Sequence, residues 1–252
     1  MKKIILTIIA VATAITLNAQ GGAHFQFKIT SDKGMSGTMD VKHGEAGSLS
    51  EMNMASPKMP GGAMIIKSLS KKSTPDVSYI IDDKNKTYRE QKKSTHQNHE
   101  EKDVTVKKVG DETVNGYKCA HAIITEGNGT SEVWNSKDFG DYEKYMSAMD
   151  DKQMAFGAKR QKALKDAGCD GFPVKMIRKG EKDGGMTMEL VKYEKKSFSA
   201  SEFEIPAGYT KTEATANPYS GAMGIKSQEE IMKMTPEERA KYIEEMKKKY
   251  GK

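Results

Sequence analysis

In segment after segment between Phe25 and Ile205 apolar residues recur at alternate positions, and that period gives way once to another, between 139 and 167. A period of two sends alternate side chains to opposite faces of a strand, so such a chain has to build a sheet that buries a face. In the first segment Phe25, Phe27 and Ile29 share one face, and His24, Gln26 and Lys28 the other. Turn residues separate the segments that follow. Asp32-Lys33-Gly34 precedes a strand over 35–41, His43-Gly44-Glu45-Ala46-Gly47 one over 48–54, and Pro57, Pro60, Gly61 and Gly62 one over 63–69. Residues 76–82 and 87–90 flank another turn, and the polar stretch 91–103 reads as a loop. Strands at 104–109, 117–125 and 131–134 follow, the last two joined through Glu126-Gly127-Asn128-Gly129. Connections this short join antiparallel neighbours.

Between 139 and 167 the spacing becomes helical, through Phe139, Tyr142, Tyr145, Met146 and Met149, then Phe156, Ala163, Leu164 and Ala167. Gly157 divides this stretch, and Gly168 is placed to end it as the left-handed residue after a helix. Strands resume at 172–178, 185–193 and 202–205. Residues 210–227, rich in Thr, Ala, Asn and Gly, read as a linker. Thr235-Pro236-Glu237-Glu238 is a capping box that opens a helix with a thin apolar stripe, Ala240, Ile243 and Met246. The expected class is α+β: a curved antiparallel sheet with a helical insertion over its concave face and a C-terminal helix.

The chain begins with Lys2 and Lys3, an uncharged apolar run from Ile4 to Leu17, and Ala19 before a small-residue start. That pattern predicts a signal peptide cleaved after Ala19, and hence a periplasmic protein. The run is short for a bilayer span and no other long apolar run follows, so the protein is not expected to span the membrane. Its 41 basic and 35 acidic residues are interspersed, with no basic block interleaved with aromatics, which argues against nucleic acid as a partner. A monomer is expected. The two cysteines, Cys119 and Cys169, are a disulfide candidate in an oxidising compartment, with free thiols as the other reading.

No G-x-S-x-G, H-E-x-x-H or P-loop occurs, and acid pairs such as Asp82-Asp83 adjoin in sequence and so diverge in space. Neither an enzyme nor a cofactor is expected. Methionine is abundant, with 17 residues, whereas beyond residue 19 leucine occurs only at Leu49, Leu69, Leu164 and Leu190. Thioethers suit Cu(I), and Met52 and Met54, with His96 and His99, form the candidate metal set. The competing reading is that methionine replaces leucine as an adaptable apolar side chain.

The run Val109-Gly110-Asp111-Glu112-Thr113-Val114-Asn115-Gly116-Tyr117-Lys118-Cys119 is followed by Glu132-Val133-Trp134 and by Phe172-Pro173-Val174-Lys175-Met176. Tyr79-Ile80-Ile81-Asp82 and Lys86-Thr87-Tyr88 stand upstream, and Ile205-Pro206-Ala207-Gly208-Tyr209 downstream. This order, over roughly 24–210, resembles the exported family described as domain of unknown function 4412, which is similar in fold to the lipoprotein carriers LolA and LolB. The resemblance implies a β half-barrel with helices over an open concavity, the place where the carriers hold acyl chains, and it brings no catalytic residues. The domain plan is then a signal peptide (1–19), a half-barrel (20–209), a linker (210–234) and an amphipathic helix (235–252). Ligand-lining candidates are Phe25, Phe27, Tyr79, Trp134, Met186 and Met188, with core packing as the other reading of each. The expected ligand is a lipid or lipoprotein acyl chain, or a partner segment. The alternatives are a structural module with a self-filled cavity and a methionine-rich periplasmic copper-binding protein.

Overall fold

The computed structural model describes residues 21–56, 63–92, 103–127, 129–140, 142–148, 158–180, 184–213, 231 and 234–250. The expected signal peptide, His96, His99 and residues 214–230 of the expected linker lie outside the described residues. The strands are β1 (Ala23–Ser31), β2 (Ser36–His43), β3 (Gly47–Ala55), β4 (Ala63–Lys71), β5 (Val77–Asp82), β6 (Thr87–Lys92), β7 (Val104–Val114), β8 (Tyr117–Glu126), β9 (Gly129–Ser136), β10 (Phe172–Lys179), β11 (Met186–Lys195) and β12 (Thr210–Lys211). They form one curved, unclosed 12-stranded sheet in the order β12-β6-β5-β4-β3-β2-β1-β11-β10-β9-β8-β7. The first strand is therefore central, and it welds a meander of β1 to β6 to a second of β7 to β11. Every pairing is antiparallel except that of β12 with β6.

Local chemistry accounts for the connections. Asn115 (φ 51°) and Gly116 (φ 84°) turn β7 into β8, both in the left-handed region that a two-residue hairpin requires. The predicted helical stretch contains α1 (Tyr142–Ala148) and α2 (Ala158–Asp166). Gly168, at φ 65°, ends α2 and lets the Cys169 amide donate to the Leu164 carbonyl at 2.8 Å. The C-terminal helix, α3 (Pro236–Tyr250), carries the expected box: the Glu238 amide donates to Thr235 Oγ1, and the Thr235 amide to Glu238 Oε2.

Two expectations change near residue 200. The strand predicted over 202–205 is a 3₁₀ turn, Ala200–Phe203. Glu202 accepts the Ser199 amide through Oε1 at 3.2 Å, so a Ser-x-x-Glu cap overrides a short alternation. The expected linker also starts too early. Thr210–Lys211 adds a strand beside β6, and the Thr212 amide donates to the Tyr88 carbonyl.

Pairing register sorts the side chains into two cores. The inner face carries Phe25, Phe27 and Ile29; α1 packs over it on β10, and α2 lies on β7. On the outer face, Leu49, Leu69 and Tyr79 stand side by side across β3, β4 and β5. The chain after β11 folds over them and seats Phe203, with Phe198 and Ile205 at its margin.

Candidate ligand-binding face

Two cross-strand rows define the methionine end of the inner face. One runs Leu190, Phe27, Met39, Met52, Ile66, and the next Met176, Met188, Ile29, Gly37, Met54, Met64. Directly opposed residues stand about 4.5–5.5 Å apart, so neighbouring thioethers in a row meet. Gly37 is required where it stands. A Cβ there would lie 2.0 Å from the Asn53 carbonyl oxygen and 2.6 Å from Met54 Sδ, so the Met54 sulfur leans into the space a side chain would fill.

The other end is closed by the protein itself. Phe25 packs against Phe172 at 4.6 Å, Tyr145 of α1 at 5.1 Å and Tyr193 at 5.2 Å between ring centroids. Phe25 and Phe27 are wholly buried, so these two candidates form the floor beneath α1 rather than an open lining. Met52, Met64 and Ile66 are only half-buried.

Methionine is not spread evenly between the cores. Met39, Met54, Met176 and Met188 are buried in the larger one, and Met35, Met52, Met64 and Met186 pack against it. Among the described residues the outer core uses Leu49, Leu69, Ile81 and Ile205 and no methionine. A general exchange of leucine for methionine predicts no such segregation.

His43 borders the aromatic end. Its Nδ1 is 2.8 Å from Ser48 Oγ, its ring meets Tyr145 edge-on at 5.5 Å, and its Nε2 is buried without a hydrogen-bond partner. Burial, helped by Lys144 and Lys72, holds its pKa down from 6.5 to about 4. The unfolded chain therefore takes up this proton near the ordinary value and the folded chain only near 4, so stability present at pH 7 is lost as pH falls through that window. The expected loss is about 2–3 kcal/mol. It is checked by urea unfolding at pH 7 and pH 4.5: a His43→Asn variant should show a clearly smaller pH difference, and an equal one would exclude His43 as its source.

The remaining candidates are scattered. Met188 is buried on the inner face and Met186 partly so, whereas Tyr79 belongs to the outer core. Trp134 is buried with the larger core, but in register it is out of step with Phe25 and Phe27. It is paired with His121, one residue out of step with the inner pair Ala122 and Val133. Its ring lies parallel to His121 at 4.1 Å, under Lys175 Nζ at 5.3 Å, and its Nε1 donates to Glu112 Oε2 at 3.1 Å. The His121 Nδ1–H donates to the other Glu112 oxygen at 2.8 Å. These bonds, Trp134 first, hold the Glu112 carboxyl below its usual range. The cluster ties β7, β8 and β9 together on the polar face.

The candidate disulfide is not made. Cys119 and Cys169 are buried free thiols, and each Sγ donates to the carbonyl two residues upstream, of Tyr117 and Ala167, at 3.4 Å. Cys119 stands in the wall of an open cleft of about 510 Å³, with Glu112, Lys118, Asn135 and Asp170. Burial pushes its thiol up to about 11, which keeps it protonated and a poor nucleophile at neutral pH. Met52 and Met54 do share the inner face, and hairpin register sets Met39 and Met64 directly opposite them. The density of methionine between 35 and 64 was visible in the chain; the pairing was not, because it depends on hairpin register.

A family model described as "Domain of unknown function (DUF4412)" matches residues 23–209, from the first strand to the end of the segment that covers the outer core. The chain belongs to this family. No curated protein matches the sequence. Solved structures similar to this one include an uncharacterized conserved protein from Thermus thermophilus, with 7% identity, a TM-score of 0.45, and coverage of 78% of this chain and 92% of that one. A LolA superfamily protein from Nitrosomonas europaea has 6% identity and a TM-score of 0.28, with coverage of 73% and 90%. A putative outer membrane lipoprotein-sorting protein domain from Vibrio parahaemolyticus has 8% identity and a TM-score of 0.28, with coverage of 75% and 91%. Among the described residues of this DUF4412 chain no helix is long and apolar enough to cross a membrane.

Proposed function

We propose that this protein is a non-enzymatic, exported binding protein that holds an acyl chain on the methionine end of its inner face. The supporting observation is the segregation of methionine to that face. Thioether side chains are unbranched and repack around ligands of varied shape, a property a permanently filled core does not need. The aromatic end is already occupied by Tyr145 and Phe172, which leaves Met52, Met64 and Ile66 as the apolar surface open to a ligand. The signal peptide expected at 1–19 would deliver the protein to the envelope, where such ligands occur.

Titration of a fluorescent long-chain fatty acid into the purified protein tests this reading. Adjacent residues provide the control, because Ile66 lies on the inner face and Ile65, 59% exposed, on the outer. Saturable binding is expected, reduced at least tenfold by Ile66→Asp and unchanged by Ile65→Asp, with both variants checked for an intact near-UV spectrum. Equal losses in the two variants, or no saturable binding in the parent protein, would remove the acyl-chain reading.

A further inference from the structure

We propose that Met39, Met52, Met54 and Met64 form a thioether site for a soft monovalent cation, Cu(I), at the rim of the inner face. Register brings them together. Met39 is directly opposite Met52, Met54 is directly opposite Met64, and Met52 and Met54 are two apart on β3 and so point to the same side. The four occupy adjoining positions on three neighbouring strands. Each side chain has three rotatable bonds, enough for three or four sulfurs to converge on one ion with the backbone unmoved.

The surroundings favour an ion over simple packing. Gly37 supplies no side chain between Ile29 and Met54, and the Met54 sulfur already leans over that gap toward β2, the strand that carries Met39. Met39 and Met54 are 6% and 4% exposed and shield the base of the site from water, while Met52 and Met64 are half-buried and give an ion a way in. The donor set is neutral and soft, which selects Cu(I) over harder divalent ions. No group of three or more His, Cys, Asp or Glu among the described residues is arranged to compete for a metal. Thioethers do not protonate in the accessible range, so the site should hold its ion as well at pH 5 as at pH 8.

The test uses the purified protein carrying ¹³C-methyl methionine. Ag(I) serves as a redox-silent probe, and Cu(I) is added anaerobically against a chromophoric Cu(I) chelator. Expected are binding of one equivalent, shifts confined to the methyl signals of these four residues, and similar affinity at pH 5 and pH 8. The double variant Met52→Leu/Met54→Leu keeps the apolar volume and should bind at least 100-fold more weakly. Met176→Leu/Met188→Leu, on the same face, should bind as the parent does, and melting curves verify that both variants fold. Retained affinity in the Met52/Met54 variant, shifts centred on other methionines, or equal competition by Zn(II) would each overturn the site. The ion titration is read without fatty acid, so its failure would leave the acyl-chain titration to stand or fall separately.

Discussion

Phe25→Ala should lower the stability of the sheet domain by about 4–5 kcal/mol, the upper part of the range for an emptied aromatic site in a core. Phe25 is wholly buried, and its ring contacts rings from three other elements: Phe172 of β10, Tyr145 of α1 and Tyr193 of β11. The central strand holds the two meanders together, so the cavity would open where β1 meets β11 and where α1 is anchored. For a domain of this size the melting temperature should fall by roughly 10–15 °C. Phe25→Leu, which refills much of the volume, should cost less than half as much. A fall of only two or three degrees for Phe25→Ala would mean that the aromatic end is not the keystone its packing implies.

Gly171→Ala is the second large effect, expected at about 4 kcal/mol. Two independent terms act at this residue. Its φ of 146° lies in a region that side chains disfavour, a cost of about 1–3 kcal/mol. A Cβ would also lie 2.7 Å from the Ser136 carbonyl oxygen and 2.8 Å from its carbon, rigid backbone that can yield only by moving β9, for a further 1–3 kcal/mol or so. The comparison is Gly140→Ala, at φ 66° with nothing within 4 Å of the added carbon, where only the conformational cost of about 1–2 kcal/mol applies. Chemical denaturation of both variants checks the contrast, and indistinguishable midpoints would show that the Ser136 contact relaxes freely. Gly171 lets the chain leaving α2 pass close over β9 and deliver Phe172 to the aromatic floor, so this glycine ties the helical insertion to the core.

Much of the architecture was legible along the chain. Alternation from Phe25 together with the turn residues between segments marks the strands from β1 to β11, the shift of spacing at Phe139 marks the helical insertion, and Gly168 and Thr235 mark helix ends where the structure has them. These are local signals, carried by dihedral preference and by side-chain periods of two or 3.6 residues. The site was less legible. Val77, Tyr79 and Ile81 do share a face, but it is the outer one, and Trp134 stands against His121 and Glu112 rather than Phe25. Candidates chosen for bulk and aromaticity mixed residues from opposite sides of one sheet.

Alternation along a strand states which residues go together, and nothing in it states which of the two groups its neighbour will match. A shift of pairing by one position would exchange the faces of a whole strand. That choice belongs to the assembled sheet, where β1 pairs with β2 on one side and β11 on the other and the segment after β11 folds back over Leu69 and Tyr79. The strands, their turns and the abundance of methionine are written in the order of residues. The gathering of Met39, Met52, Met54 and Met64 on one face, and the absence of methionine from the other core among the described residues, arise only when the hairpins close in register and each side chain acquires its neighbours across the strands.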